Sequence, residues 1–166
     1  MANRPDTAFL RQVPMFKDLD ERVLTALWPS FSERRLRRGE ILCRVGDPGD
    51  ELFLIYSGAV VVSKPVTGRV EQVLSRLGAG EILGEMSVFG DEPRRSATIQ
   101  ADTDTLLLVL HRDQLNEFID SSPRDAAKFF LEMTRVTFNR LRLSSELVAE
   151  VTRWGLEATG LDVEHK

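Results

Sequence analysis

Turn signals recur through residues 31–112 and leave only short runs between them. They stand at Arg38-Gly39, at Gly46-Asp47-Pro48-Gly49-Asp50, at Ser57-Gly58, at Thr67-Gly68 and at Gly78-Ala79-Gly80. The runs read ERRLR, EILCR, ELFLIY, AVVVSK, RVEQVLSRL, a short EIL, SATIQA and TLLLVLH. Short apolar or alternating runs bounded by Gly, Asp and Pro predict strands. Many such strands joined by closely spaced glycine turns predict an antiparallel β-roll or jelly roll. No low-complexity linker and no internal repeat interrupts them.

Helical patterns flank this zone. In residues 6–30, Phe9, Leu10 and Val13 recur at helical spacing up to Pro14. Asp18 or Asp20 then caps a second helix carrying Val23, Leu24, Leu27 and Trp28, which Pro29 stops. Residues 113–155 predict a short helix from Asp113 to Ile119 and a long one opened by Ser121 or Ser122 with Pro123. The long helix is apolar on two sides. One stripe holds Phe130, Thr137, Ser144 and Val151 with Thr134, Leu141 and Val148 beside it; the other holds Phe129, Met133, Val136, Leu143 and Leu147. Two stripes need two surfaces. The β-zone supplies one; a second copy packed as a short coiled coil, or the chain's own N-terminal helices, supplies the other. The expected fold is therefore mainly β with flanking helices, one domain over residues 1–155, and a tail over 156–166 without strong pattern.

At 166 residues and 18.7 kDa the chain suits one domain with a real core. A net charge of −4 argues against a dedicated nucleic-acid binder. One cysteine, Cys43, excludes an internal disulfide, and with His111 and His165 it makes no metal-ligand set. The N-terminus lacks the apolar core of a signal peptide, and the apolar run from Leu106 to Leu110 is too short to span a bilayer. The expected compartment is the cytoplasm.

The chemistry concentrates in GEILGEMSVFGDEPRRSATIQA, residues 80–101. Gly84 lets a backbone amide approach a ligand closely. Glu85–Phe89 has the length of one helical turn, whose N-terminus suits a phosphate. A carboxylate at Glu85 then needs a donor such as a sugar hydroxyl. Gly90-Asp91-Glu92-Pro93 turns the chain back, and Arg95 with Ser96 opens the strand SATIQA. Arginine offers a planar fork that matches phosphate oxygens, and Ser96 adds a hydroxyl and an amide. A phosphate bearing one charge, a neighbouring ribose hydroxyl and a flat base would satisfy all of these groups together.

This segment resembles the phosphate-binding cassette of the cyclic nucleotide-binding domain family. The resemblance rests on Gly46-Asp47, Ser57-Gly58, Gly80-Glu81, Gly84-Glu85-Met86-Ser87-Val88-Phe89 and Arg95-Ser96-Ala97-Thr98, in that order, with Pro14, Phe16 and Leu19 similar to the family's entry segment. It implies that Glu85 accepts the ribose 2′-hydroxyl with support from the Gly84 amide. It also implies that Arg95 and Ser96 hold the cyclic phosphate. The Glu-to-Arg spacing is similar to that of bacterial catabolite activators; in shorter loops the arginine falls where Arg94 stands, so both arginines are candidates, with Arg95 preferred. Met86, Ser87 and Ala97 complete the cassette, and Val62, Val73 and Leu74 are the implied apolar rest for the base. In the segment Arg140-Leu141-Arg142-Leu143-Ser144-Ser145, Ser144 and Ser145 stand where the resembling catabolite activators meet adenine; Ser144 is a candidate base contact, and a solvated serine is the plainer reading of Ser145.

The implied function is a non-catalytic regulatory domain that binds cyclic AMP, or cyclic GMP, as ligand and relays binding through its long helix to a downstream protein. Ser144 leans toward adenine and Ser96 toward guanine; cyclic AMP is preferred. The alternatives are the regulatory part of a DNA-binding transcription factor and a scaffold of the same fold without ligand. Eleven residues after Gly155 leave no room for a helix-turn-helix, so direct nucleic-acid contact is not expected. A cupin-type enzyme would need metal ligands on the strands. The basic run Glu33-Arg34-Arg35-Leu36-Arg37-Arg38 reads as a solvated strand with its charge split between faces. Cys43 reads as a packed thiol, His111 as a strand-end residue and Trp154 as a helix-packing side chain rather than a cap on the base.

Overall fold

The computed structural model describes residues 6–67, 70–89 and 93–159. The expected turns at Gly68 and Gly90-Asp91-Glu92, the end of the tail and His165 lie outside the described residues. Two four-stranded antiparallel sheets form the roll. One has the order β1 (Ser32–Leu36), β8 (Thr105–His111), β3 (Glu51–Ser57), β6 (Ile82–Leu83). The other has the order β2 (Ile41–Cys43), β7 (Thr98–Ala101), β4 (Ala59–Thr67), β5 (Val70–Gly78). Among the described residues no helix is long and apolar enough to cross a membrane.

The runs LFLI and LLLVL are apolar at every position because both faces of β3 and β8 are covered. Successive strand side chains point to opposite faces. Phe53, Ile55, Leu107 and Val109 face the interior of the roll with Leu36, Leu42, Val60, Leu77, Leu83 and Ile99. Leu52, Leu54, Leu108 and Leu110 face a second core built with the helices. That core takes Leu10 from α1 (Thr7–Leu10), Leu24 and Leu27 from α2 (Glu21–Leu27), Leu115 and Phe118 from α4 (Arg112–Ser121), and Ala126, Phe129 and Met133 from α5 (Pro123–Thr159). Val88 of α3 (Glu85–Phe89), the helix of the cassette, joins it as well.

Several elements differ from the sequence reading. The first helix ends at Leu10, and Pro14 instead opens a 3-10 turn, Pro14–Phe16, whose Met15 and Phe16 are buried. Asp20 holds the cap position of α2 without a side-chain cap bond, and Pro29 lies in a second 3-10 turn. β7 starts at Thr98, not Ser96. The backbone of Arg95 bonds to the 44–49 loop, its amide to Asp47 O and its carbonyl from Gly46 N, so the ladder cannot begin there. The long helix continues past Gly155 to Thr159; an internal glycine costs only about 1 kcal/mol relative to alanine. The basic run is solvated over Ser32–Arg35 of the edge strand β1, and Leu36 turns into the roll.

Candidate functional site

The cassette begins where β6 runs into α3. Gly84 turns the chain with φ +90°, and a Cβ there would lie 2.6 Å from the Glu51 carbonyl oxygen and 2.8 Å from Arg95 Nη1. Glycine is needed on both counts. Ser87, fully buried, donates its hydroxyl to Gly84 O and accepts from Arg95 Nη1 at 2.9 Å.

Arg95 is brought inside and Arg94 is left outside. Arg95 is 5% exposed, whereas Arg94 is exposed and donates to Gly46 O. The Arg95 guanidinium lies 4.9 Å from the centroid of the Phe53 ring. Its Nη1 also donates to Glu51 O at 2.8 Å, and its Nη2 to the Glu51 carboxylate at 3.3 Å. Gly49 makes room for the group, since a Cβ at that position would fall 2.2 Å from Arg95 Nε. Nε itself is buried without a hydrogen-bond partner. Glu51 also approaches His111, with Oε1 3.7 Å from Nε2.

Glu85 is held from another direction. Its Oε1 lies 3.5 Å from Nη1 of Arg140, whose Nη2 donates to Ile82 O at 2.8 Å and lies 3.8 Å from Glu81 Oε1. The two opposite charges of the cassette therefore do not neutralise one another: Arg95 pairs with Glu51 of β3, and Glu85 with Arg140 of α5. Arg112, the first residue of α4, donates through Nη2 to Ser87 O at 2.7 Å. The cassette helix is thus tied to both C-terminal helices.

The structure gathers Gly84, Glu85, Ser87 and Arg95. The Ser96 hydroxyl, exposed, meets the sulfur of exposed Met86, and Ala97 O accepts from Cys43 Sγ at 4.0 Å. Val62 is half-buried against the roll interior. Val73 and Leu74 are both about half exposed on the edge strand β5, where the ladder shifts between Val62↔Ser75 and Ser63↔Val73. Ser144 is exposed on α5, and Ser145 donates to Leu141 O. Trp154, read as a packing residue, is exposed. Cys43 is a packed thiol whose pKa burial pushes up. Three side chains at the site escaped the sequence reading: Glu51, Arg112 and the Arg140 guanidinium. Only the fold brings them there, 44, 25 and 55 residues from their partners.

Comparison with known proteins places this geometry. The family model described as the cyclic nucleotide-binding domain matches residues 33–122, more than half of the chain. A cyclic nucleotide-gated potassium channel of Mesorhizobium japonicum is 38% identical over 70% of this chain, the match spanning 31% of the channel. A CRP-like cAMP-activated global transcriptional regulator of Mycobacterium tuberculosis is 26% identical over 86% of this chain and 61% of its own length. The crystal structure of a cyclic nucleotide-binding domain from Methylobacillus flagellatus superposes with a TM-score of 0.76 at 29% identity, covering 86% of this chain and 80% of that one.

Proposed function

The chain belongs to the cyclic nucleotide-binding domain family, and on that premise we propose that it is a non-catalytic regulatory module that binds cyclic AMP in preference to cyclic GMP and relays binding through α5. The observation that carries this reading is the separation of charges in the cassette. A buried guanidinium with an unpartnered Nε and a carboxylate three-quarters or more buried stand in one short segment, each held by its own partner. That arrangement suits a ligand with an anionic face and a hydroxyl face.

In this reading Arg95 holds the cyclic phosphate with Ser96, and Glu85 accepts the ribose 2′-hydroxyl with the Gly84 amide beside it. Met86, Ser87 and Ala97 shape the cassette. Val62, Val73 and Leu74 offer apolar surface to the base. Ser144 comes within reach of the base only when α5 moves, which gives the relay its driving force: a ligand shifts a helix only by binding its two positions with different affinity. Cyclic AMP is favoured because Ser144 stands where catabolite activators meet adenine. A homodimer through α5, an unidentified downstream protein and a cytoplasmic setting complete the proposal. The partial coverage of the CRP-like regulator also keeps open a role as the regulatory part of a DNA-binding factor.

Thermal-shift titration with cyclic AMP and cyclic GMP tests it. A ligand that binds only the folded state raises the melting temperature with concentration, by about 2.7 kcal/mol of added stability at one hundred times Kd. Cyclic AMP is expected to act at lower concentration than cyclic GMP. No shift with either nucleotide leaves the ligand-free scaffold as the answer.

A further inference from the structure

The chain carries its sulfur on four methionines and one cysteine, and the fold leaves one of these side chains open in the cassette. Met15 and Met133 are buried in the helical core. Cys43 is a buried thiol whose pKa burial pushes up, which keeps it from the reactive thiolate form. Met1 lies outside the described residues. Met86, by contrast, is 60% exposed. It stands on α3 between Glu85 and Ser87, and its Sδ lies 3.4 Å from the Ser96 hydroxyl, which donates to it across the cassette. A thioether is a weak acceptor. It therefore holds the Ser96 hydroxyl loosely and yields it to any stronger acceptor that arrives.

We propose that Met86 is a reversible oxidation site that weakens the anion subsite when a peroxide reacts with it. Sδ attacks the nearer peroxide oxygen, and the O–O bond breaks as the S–O bond forms. The departing oxygen takes up the remaining proton and leaves as water. The sulfur loses two electrons and the peroxide gains them. The product, methionine sulfoxide, is polar and puts a strong acceptor where the thioether had a weak one. With the sulfur 3.4 Å from the Ser96 hydroxyl, the new oxygen comes within hydrogen-bond reach and keeps that hydroxyl from the ligand. Arg95 is left as it was, because its partners are Glu51, Ser87 and the Phe53 ring. Methionine sulfoxide reductases return the thioether, which makes the step a switch. The inference rests on the assignment of Ser96 to the phosphate.

Graded hydrogen peroxide, followed by peptide mass spectrometry and by calorimetric titration with cyclic AMP and cyclic GMP, tests it on the full chain, Met86→Leu and Ser96→Ala. Each protein is compared with its own untreated sample, and thermal melting confirms that both samples are folded. Oxidation is expected at Met86 before Met15, Met133 or Cys43. The oxidised parent is expected to lose roughly tenfold in affinity for whichever nucleotide it binds more tightly, the scale of one hydrogen bond to a charged group. Treatment with a methionine sulfoxide reductase is expected to restore it. Met86→Leu, whatever its starting affinity, is expected to keep that affinity through the same dose. Ser96→Ala is expected to lose no more than about twofold on oxidation, since both changes act through one hydroxyl. Oxidation of Met86 without loss of affinity, an equal loss in treated Met86→Leu, or an undiminished loss in treated Ser96→Ala would overturn the proposal. A parent chain that binds neither nucleotide would instead remove the cyclic-nucleotide reading, and this inference with it.

Discussion

A guanidinium almost out of solvent needs partners that offset its desolvation. Arg95 has them in the Glu51 carboxylate and carbonyl, the Ser87 hydroxyl and the Phe53 ring. Glu85 faces a different arginine, so it stays available for a donor on the ligand. If it accepts the ribose hydroxyl, Glu85→Gln should weaken cyclic AMP binding while 2′-deoxy cyclic AMP loses little further affinity in the variant. The double-mutant logic is decisive: coupling between side chain and hydroxyl appears as non-additive losses, and simple addition would remove Glu85 from the subsite. At this scale the grouping of Gly84, Glu85 and Arg95 was legible in the sequence, because all three stand in one short segment whose order resembles the family's cassette. It left Glu51 unseen, 44 residues from Arg95, since nothing local marks which carboxylate a roll will fold beneath an arginine.

Among the elements, α5 carries the strongest unsatisfied demand. Phe129 and Met133 of one stripe are taken up by the helical core, whereas Leu143 further along it and Leu141, Val148 and Val151 on the other stripe are each more than half exposed. Fully burying one such side chain is worth about 1.5–3 kcal/mol, and a second copy presenting the same seam supplies that burial. Leu141→Lys with Val148→Lys is therefore expected to turn a dimer into a monomer in sedimentation velocity while leaving the melting of the roll unchanged. A parent chain already monomeric at tens of micromolar would exclude the seam. The strands were legible because LFLI and TLLLVL repeat the runs that the two cores require. The start of β7 was not, because main-chain bonds from Arg95 to the 44–49 loop take the place of the ladder. The N-terminal segment was misjudged for a similar reason: burial of Met15 and Phe16 favours a tight 3-10 turn at Pro14 over a longer helix.

At the scale of the molecule, α3 is the junction. Val88 roots it in the helical core, Arg112 ties it to α4, Arg140 ties it to α5, and Ser87 touches Arg95. In the proposed function, a ligand seated on α3 would act on both C-terminal helices. In that reading Arg95 holds the ligand's anion. Removing Arg95 alone would strand Glu51, a buried-pair loss of about 3–5 kcal/mol in stability, so the direct test neutralises both partners. Calorimetric titration of cyclic AMP into the parent chain and into the Glu51→Gln, Arg95→Gln double variant makes that measurement. One-to-one binding by the parent is expected, with a loss of roughly 2–5 kcal/mol, about thirtyfold or more, in a variant that still melts cooperatively. Unchanged affinity in the folded double variant would contradict it.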